Sequence, residues 1–275
     1  MRIALLGCGF VADYYLATLK SHPEMQVLGV YDRLVDRKVA LAGAYGVRGY
    51  ESLGELLGDQ RVEMILNLTN PRDHYTISKA ALVAGKHVYS EKPLAMELLE
   101  AKELVCLANE QGRMIACAPC SVLGETAQTL WRAVRSAAVG QVRLVYAEMD
   151  DGMVHRMQYR AWKSVSGMPW PYKDEFEVGC TLEHAGYYLT WLVTIFGAAT
   201  TVTTFASTRI ADKVPGETLN LDSPDFTVAC IQFESGVVAR LTSSIVAPHD
   251  HSIKIVGDLG VLYADDAWKI GRAHV

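Results

Sequence analysis

Hydrophobic and polar positions divide the chain into two regions with different patterns. Across residues 1–121, short apolar runs alternate with amphipathic stretches of helical period, which is typical of strands joined by crossover helices. Such alternation implies parallel strand pairing and predicts a doubly wound α/β sheet. The predicted strands are 3–6, 25–31, 62–68, 87–89 and 114–118, with a further short strand beginning at Val47, and the predicted helices are 11–20, 37–45, 52–57, 73–84 and 95–111.

The pattern changes after Ser121. One more helix is predicted at 124–138, and longer strands with alternating character follow at 141–149, 200–207, 226–233, 237–243 and 252–256. Few helices separate these strands, and the turn Glu234-Ser235-Gly236 is typical of a hairpin. We therefore expect two domains, 1–121 and 122–275, the second being an α+β domain with a mostly antiparallel open sheet.

Composition narrows the possible partners. The chain has 275 residues and a net charge of −5 with both signs mixed, so it lacks the basic surface that binds nucleic acid. Residues 185–208 carry no charge, but several threonines and a break at Gly197 favour a buried helix and strand over a membrane span. The six cysteines, without an export signal, indicate free thiols in the cytoplasm. No grouping of residues predicts a metal site.

A glycine-rich turn follows the first strand. In Gly7-Cys8-Gly9-Phe10-Val11-Ala12, Gly7 permits the tight turn, Gly9 lets the backbone approach a pyrophosphate, and Ala12 lets the helix pack closely on the strand. The helix then presents free N–H groups to the phosphates. This arrangement predicts a Rossmann dinucleotide site.

Asp32 ends the second strand and bears on the choice of cofactor. A carboxylate there accepts from ribose hydroxyls and repels a 2′-phosphate, which favours NAD. Arg33 follows immediately and offers a partner for that phosphate, so NADP stays open.

The segment Gly85–Ala95 carries a specific resemblance. Its strand Gly-Lys-His-Val runs into Glu91-Lys92-Pro93. Together with the glycine turn, Asp32 and Asn70-Pro71 with His74, it resembles the Gfo/Idh/MocA family of glucose–fructose oxidoreductase, inositol dehydrogenase and relatives. The resemblance covers residues 1–111 closely and continues more loosely beyond them.

The resemblance implies a nicotinamide-dependent oxidoreductase acting on a sugar, polyol or sugar derivative. It places Lys92 at the substrate hydroxyl and Glu91 by the nicotinamide ribose, with a cis Lys92–Pro93 bond. A lysine partly removed from water beside a cofactor is also suited to proton exchange. The predicted cofactor-binding residues are Gly7, Gly9, Phe10, Val11, Asp32, Arg33, Thr69, Asn70, Pro71, His74, Glu91 and Lys92.

The substrate end of the site departs from the family pattern. Relatives often carry Asp-x-Gly-x-His, whereas His184 and Tyr188 stand at the corresponding positions here. Proton transfer is therefore open between Lys92, His184 and Tyr188. Trp162 and Lys163 lie in an aromatic and basic segment suited to sugar rings and hydroxyls, so the predicted substrate-binding residues are Lys92, Trp162, Lys163, His184 and Tyr188.

Two alternatives to a dehydrogenase remain at this point: an NAD-dependent glycosidase of the same family, and a non-catalytic NAD(H)-binding sensor. The resemblance also implies a homo-oligomer, a dimer or tetramer. Residues 270–275 continue no periodic pattern. We expect that the sequence is truncated at its C-terminus and that those six residues are not native.

Overall fold

The computed structural model describes residues 1–269, and the expectation about residues 270–275 lies outside them. Two compact units divide the chain. The first unit combines Met1–Ala118 with Gln158–Asp174, and the second combines Pro119–Met157 with the chain from Glu175 onward. This differs from the predicted division at residue 121, because the inserted segment Gln158–Asp174 returns to the first unit.

The first unit is built on a five-stranded sheet in which every neighbouring pair is parallel. Its strands, in the order β2-β1-β3-β4-β5, are β1 (Arg2–Leu6), β2 (Gln26–Tyr31), β3 (Met64–Asn67), β4 (His87–Ser90) and β5 (Ile115–Cys117). Its helices are α1 (Phe10–Leu19), α2 (Val35–Tyr45), α3 (Leu53–Gly58), α4 (His74–Val83) and α5 (Leu98–Glu110). The predicted strand at Val47 is wrong, since only an isolated bridge between Val30 and Gly49 forms there.

Local chemistry explains several of these boundaries. The apolar run of β1 is buried on both faces, and Ile3, Ala4 and Leu5 are wholly inaccessible, as expected for a central parallel strand. Ser52 caps α3 by accepting a hydrogen bond from the Glu55 N–H at 3.0 Å, the usual role of a serine at the start of a helix. Gly46 ends α2 in the left-handed conformation.

The second unit contains a six-stranded mixed sheet in the order β11-β10-β6-β9-β8-β7. The β6–β9 pair is parallel and the other pairs are antiparallel. Its strands are β6 (Val142–Asp150), β7 (Ala199–Ser207), β8 (Phe226–Phe233), β9 (Val238–Ser244), β10 (Ile253–Gly257) and β11 (Gly260–Ala264). The helices are α6 (Glu125–Arg135), α7 (Tyr172–Val178), which begins in the inserted segment, and α8 (Gly186–Phe196).

One buried cluster joins α6 and α8 to this sheet, with Trp191 and Leu192 at its centre. The predicted α/β plus α+β class is therefore confirmed, although α7 and β11 were not predicted. No helix within residues 1–269 is both long and apolar enough to cross a membrane.

Candidate active site

A cavity of about 740 Å³ opens at the carboxyl ends of β1 and β3. This is where the strand order reverses direction, the position at which ligands bind in open α/β sheets. Its volume lies within the range of small-molecule and cofactor sites. Nine of the predicted cofactor-binding residues line it: Gly7, Gly9, Phe10, Val11, Asp32, Arg33, Thr69, Asn70 and Pro71.

The glycine turn shapes the floor of this cavity. Gly7 has a φ of +96°, and a Cβ at that position would lie 2.4 Å from the Leu68 carbonyl oxygen. Gly9 is different, because a Cβ there would meet no protein atom within 4 Å. No side chain caps the N-terminus of α1. The turn therefore leaves open backbone and free helical N–H groups facing the cavity, which fits the phosphates of a dinucleotide.

Asp32 organises the rim of the cavity. One carboxylate oxygen accepts from the Cys8 N–H at 2.8 Å, and the other accepts from the Leu34 N–H at 2.8 Å. Arg33 lies beside it, with its guanidinium 3.6 Å from the Asp73 carboxylate. The side chain of Asp32 is thus held in place by the glycine turn itself, with lone pairs left for ribose hydroxyls.

The inserted segment, residues 158–174, is called the strap below. It closes one side of the cavity with residues that the sequence did not single out as cofactor ligands. The lining residues from the strap are Arg160, Pro169, Trp170, Pro171, Tyr172, Lys173 and Asp174. Two of them, Arg160 and Lys173, join Arg33 and Arg37 to give four basic side chains in the lining. Three aspartates also line the cavity, so basic side chains outnumber acidic ones there. This excess of positive charge suits an anionic ligand.

Trp162 and Lys163 are placed differently from their prediction. Trp162 packs edge-on against Trp170 with ring centroids 5.0 Å apart, and Lys163 pairs with Pro169 in an isolated bridge. Neither lines the cavity. They hold the strap in its hairpin shape, and Trp170 is the tryptophan that reaches the cavity wall. The sequence pattern could not show which of the two tryptophans lines the cavity.

The strap is fastened to α1 by a buried carboxylate. Asp13 is 3% exposed, and its two oxygens accept from the Ser166 N–H at 3.1 Å and the Ser166 Oγ–H at 2.7 Å. At the other end of the strap, Arg72 donates to Asp174 at 3.2 Å. Hydrogen bonds to a charged acceptor are the stronger kind, so the Asp13 contacts hold the strap against the phosphate-binding helix.

The Glu91-Lys92-Pro93 loop follows β4 at the same edge of the sheet. The Lys92–Pro93 bond is cis, as the resemblance implied. Glu91 accepts from the Lys92 N–H at 3.0 Å. Neither Glu91 nor Lys92 lines the cavity described above; both lie beyond it along the carboxyl edge of the sheet.

His74 connects this loop to its neighbour and does not line the cavity. Its Nδ1 lies 2.6 Å from the Pro93 carbonyl oxygen, and its Nε2 lies 3.0 Å from the Thr69 carbonyl oxygen. Burial lowers the pKa of His74 despite these two carbonyl partners. The imidazole therefore bridges two loops of the site, which is a positioning role in place of the predicted contact with cofactor.

In the second unit, His184 lies between two carboxylates. Its Nε2 contacts Glu175 and its Nδ1 contacts Asp151. Burial alone would lower the pKa of His184, but these two charges raise it well above the ordinary value of 6.5. The pKa of Asp151 is lowered, because His184 and His251 together outweigh the opposing effect of burial. Because both ring nitrogens face carboxylates, the site favours the doubly protonated imidazolium form of His184.

This network makes a testable contribution to stability. Replacing His184 by Gln removes the positive charge that lies between the Glu175 and Asp151 carboxylates, and we expect the free energy of unfolding to fall by about 3–5 kcal/mol. The contribution of His184 to the free energy of unfolding is complete below its ordinary pKa and is lost as pH rises through its higher folded-state pKa. The contribution of Asp151 is lost as pH falls below 3.8 through its lower folded-state pKa. Urea unfolding at a series of pH values measures both losses of stability, at high pH and at low pH.

His22→Gln is the matched control for this prediction, because the His22 side chain is half exposed and pairs only with the exposed Glu24. Equal unfolding free energies for the two variants would contradict the paired imidazolium.

One group in the second unit has the composition of a metal site. Asp151, His249 and His251 bring ligand atoms within 4.8 Å of one another. However, Trp268 donates its indole N–H to Nδ1 of His251 at 3.0 Å, so a neutral His251 carries its proton on Nε2, which faces Asp151 at 2.8 Å. Neither nitrogen of His251 then offers a lone pair, and these residues do not fit a bound metal.

Tyr188 is a core residue of the second unit. It is 1% exposed and packs against Trp191. Its hydroxyl donates to the His251 backbone carbonyl at 2.6 Å, and burial raises the pKa of the phenol further. A π-helical turn, Thr181–Ala185, precedes α8, so His184 and Tyr188 do not lie on one regular α-helix. The placement does not support Tyr188 as a catalytic or substrate-binding residue.

Comparison with known proteins agrees with this architecture. The profile of the Gfo/Idh/MocA oxidoreductase family, described as an NAD-binding Rossmann fold, matches residues 1–118, and the family's C-terminal domain matches residues 127–263. The chain belongs to the Gfo/Idh/MocA oxidoreductase family. This confirms the predicted enzyme class and nicotinamide cofactor.

Individual relatives are distant. The chain is 24% identical over 271 residues to the mouse trans-1,2-dihydrobenzene-1,2-diol dehydrogenase, covering 98% of the chain and 75% of that protein. The WlbA dehydrogenase of Chromobacterium violaceum, solved with NADH and UDP-GlcNAcA, matches with a TM-score of 0.80 and 21% identity. That match covers 100% of this chain and 77% of WlbA. Biliverdin reductase of Synechocystis, solved with biliverdin and NADP+, matches with a TM-score of 0.74 and 22% identity. That match covers 96% of this chain and 78% of the reductase.

Proposed function

We propose that this protein oxidises a secondary hydroxyl of a sugar, polyol or sugar derivative. The carbinol C–H bond breaks with loss of a hydride, the hydroxyl proton passes to Nζ of Lys92, and the carbinol becomes a carbonyl. A bound nicotinamide dinucleotide supplies the two-electron acceptor. The dehydrogenases among the relatives, one of them solved with a nucleotide sugar, support this class of substrate.

One observation carries the assignment of the proton acceptor. Lys92 follows β4 at the same carboxyl edge of the sheet that forms the dinucleotide cavity. The two other candidates are unsuited to accept a proton: both nitrogens of His184 face carboxylates, and the buried hydroxyl of Tyr188 donates to a backbone carbonyl. A protonated imidazole has no lone pair with which to accept a proton.

A substrate screen tests the reaction. Sugars, polyols and their glycosides are incubated with oxidised cofactor while reduced cofactor and released aglycone are both measured. Net reduced cofactor supports the dehydrogenase. Aglycone released without net reduction means a glycosidase, and cofactor binding with neither product means a sensor; either result overturns the proposal.

We expect the protein to prefer NADH over NADPH by roughly tenfold or more, an energy of about 1.4 kcal/mol. The fixed carboxylate of Asp32 accepts from the adenosine ribose and repels a 2′-phosphate. Fluorescence titration of both reduced cofactors measures the ratio. Arg33→Ala is the companion variant and is expected to weaken NADPH further while sparing NADH; tighter binding of NADPH by the unaltered protein would refute the assignment.

The strap is expected to govern how fast the cofactor leaves. Ser166→Ala removes the hydroxyl contact with Asp13 and leaves the backbone N–H contact, which weakens the attachment of the strap to α1. We therefore expect NADH to dissociate roughly tenfold faster, in line with the loss of one charge-assisted hydrogen bond. Stopped-flow displacement of NADH by excess NAD+ measures this rate. Ser136→Ala, which changes a serine remote from the strap, is the control, and equal rates in the two variants would contradict the role of the strap.

The same proposal includes a cytoplasmic, homo-oligomeric protein, a dimer or tetramer. The free cysteines support a reducing compartment. Exposed apolar residues on the second-unit sheet, Val202 and Phe205 among them, support assembly. Light scattering measures the oligomeric state, and a monomer at all concentrations would refute it.

A further inference from the structure

The first turns of α1 reach the Glu91-Lys92 loop through a tyrosine. The Tyr15 hydroxyl donates to one carboxylate oxygen of Glu91 at 2.6 Å. Its ring is half-buried and lies 6.2 Å from the ring of Tyr89 on β4. Tyr15 therefore links the phosphate-binding helix directly to the residue that precedes Lys92.

Glu91 is held at several atoms. Its second carboxylate oxygen accepts from the Lys92 N–H at 3.0 Å, and its own N–H donates to the Asn67 carbonyl at 2.8 Å. The Glu91 carbonyl accepts from Ser90 Oγ at 3.0 Å and lies 3.5 Å from the Cys117 thiol. Tyr15 fixes the far end of this residue, so the carboxylate has one donor on each oxygen and its orientation is determined.

The phenol is suited to this role as a permanent donor. Burial raises the pKa of Tyr15, and the negative charge of Glu91 raises it further. The hydroxyl therefore keeps its proton throughout the working range of pH. It donates to Glu91 and does not exchange protons with a substrate.

We propose that Tyr15 is a positioning residue that acts through Glu91 to orient Lys92. The inference rests on the proposed function only in that Lys92 is the group being oriented. The Tyr15–Glu91 hydrogen bond ties the geometry of the cofactor-binding helix to the geometry of the proton acceptor. Loss of the bond lets the half-buried carboxylate turn, and the carboxylate then no longer holds the Lys92 N–H in a fixed orientation.

Tyr15→Phe tests this with a matched control on the same helix. Tyr14 is 62% exposed, so Tyr14→Phe deletes an equivalent hydroxyl that contacts solvent. For Tyr15→Phe we expect kcat on a substrate from the screen to fall between roughly tenfold and a hundredfold. We expect KM and the Kd for NADH to stay within about twofold, because Tyr15 does not line the dinucleotide cavity.

Cys117 supplies a second readout that needs no substrate. Burial raises the pKa of its thiol to about 12, with a further contribution from the Glu91 charge. Release of the Glu91 carboxylate in Tyr15→Phe lets its negative charge move away from the thiol, which favours the thiolate. We expect iodoacetamide to alkylate Cys117 about tenfold faster, as measured by peptide mass spectrometry. Replacing Tyr15 by p-aminophenylalanine, which restores an N–H donor, is expected to reverse both effects and keeps the test valid if Tyr15→Phe folds poorly.

The outcomes separate this inference from the proposed function. If Lys92→Ala retains turnover, the proposed function fails, whatever Tyr15 does. If Lys92→Ala is inactive while Tyr15→Phe matches Tyr14→Phe in both kcat and alkylation rate, the positioning role of Tyr15 is refuted and the proposed function stands.

Discussion

Lys92→Ala is expected to lower kcat on the identified sugar or polyol by roughly 10²–10⁴-fold, the usual contribution of one general base. The alanine variant cannot accept the hydroxyl proton, and the two other titratable candidates are unsuited to replace Lys92. His184 is paired with Glu175 and Asp151, and the Tyr188 hydroxyl donates to a carbonyl. The Kd for NADH is expected to stay within about twofold, because the phosphate-binding turn is unaffected.

Lys102→Ala is the control for this variant. Lys102 is an exposed residue of α5, so Lys102→Ala removes the same kind of side chain outside the site. Initial rates under saturating cofactor, together with fluorescence titration of NADH, measure both quantities. Turnover by Lys92→Ala at the level of Lys102→Ala would remove Lys92 from the mechanism.

Alanine substitutions at two glycines of the same turn are expected to have different effects on stability and on cofactor binding. At Gly7, the left-handed backbone and a Cβ only 2.4 Å from the Leu68 carbonyl oxygen force β1 and the loop after β3 apart. We expect the free energy of unfolding to fall by about 2–5 kcal/mol. At Gly9, a Cβ meets no protein atom, so stability is expected to be nearly unchanged.

Cofactor binding gives the complementary result. The Cβ of Gly9→Ala projects into the space that a pyrophosphate approaches, so the Kd for NADH is expected to rise at least roughly tenfold. Urea unfolding and NADH titration of both variants measure the contrast. An alanine at Gly9 that destabilises the fold, or one that leaves NADH binding intact, would contradict the assigned roles of the two glycines.

The sequence predicted the cofactor end of the site because its signals are local. The turn Gly7–Ala12 and the position of Asp32 are both read within one βαβ unit, where strand, turn and helix follow each other directly. Parallel pairing then places the loop that carries Asn70 beside them, since the carboxyl ends of neighbouring strands meet at one edge.

The strap could not be predicted in the same way. Its membership of the first unit depends on contacts far apart in the chain, such as Asp13 with Ser166. Aromatic composition indicated a binding segment but could not determine that Trp170 lines the cavity while Trp162 packs behind it. That distinction arises from the hairpin geometry of the folded strap.

The substrate end was misjudged for a related reason. Residues four apart, such as His184 and Tyr188, share one face of a regular α-helix, whereas the structure has a π-helical turn at Thr181–Ala185. The partners of His184 are Asp151, directly after β6, and Glu175 in α7, and α7 was not predicted. Charges brought together by tertiary packing therefore determined the protonation of His184, which no local pattern encodes.

The most direct test of the proposed function follows the hydride itself. Polyols and sugars deuterated at the carbinol carbon are incubated with the protein and NAD+, and the reduced cofactor is recovered for mass spectrometry. The proposed reaction predicts deuterium in the nicotinamide ring, formed by the unaltered protein and not by Lys92→Ala. Reduced cofactor that carries no deuterium, or none formed with any substrate while NADH binds normally, would contradict it.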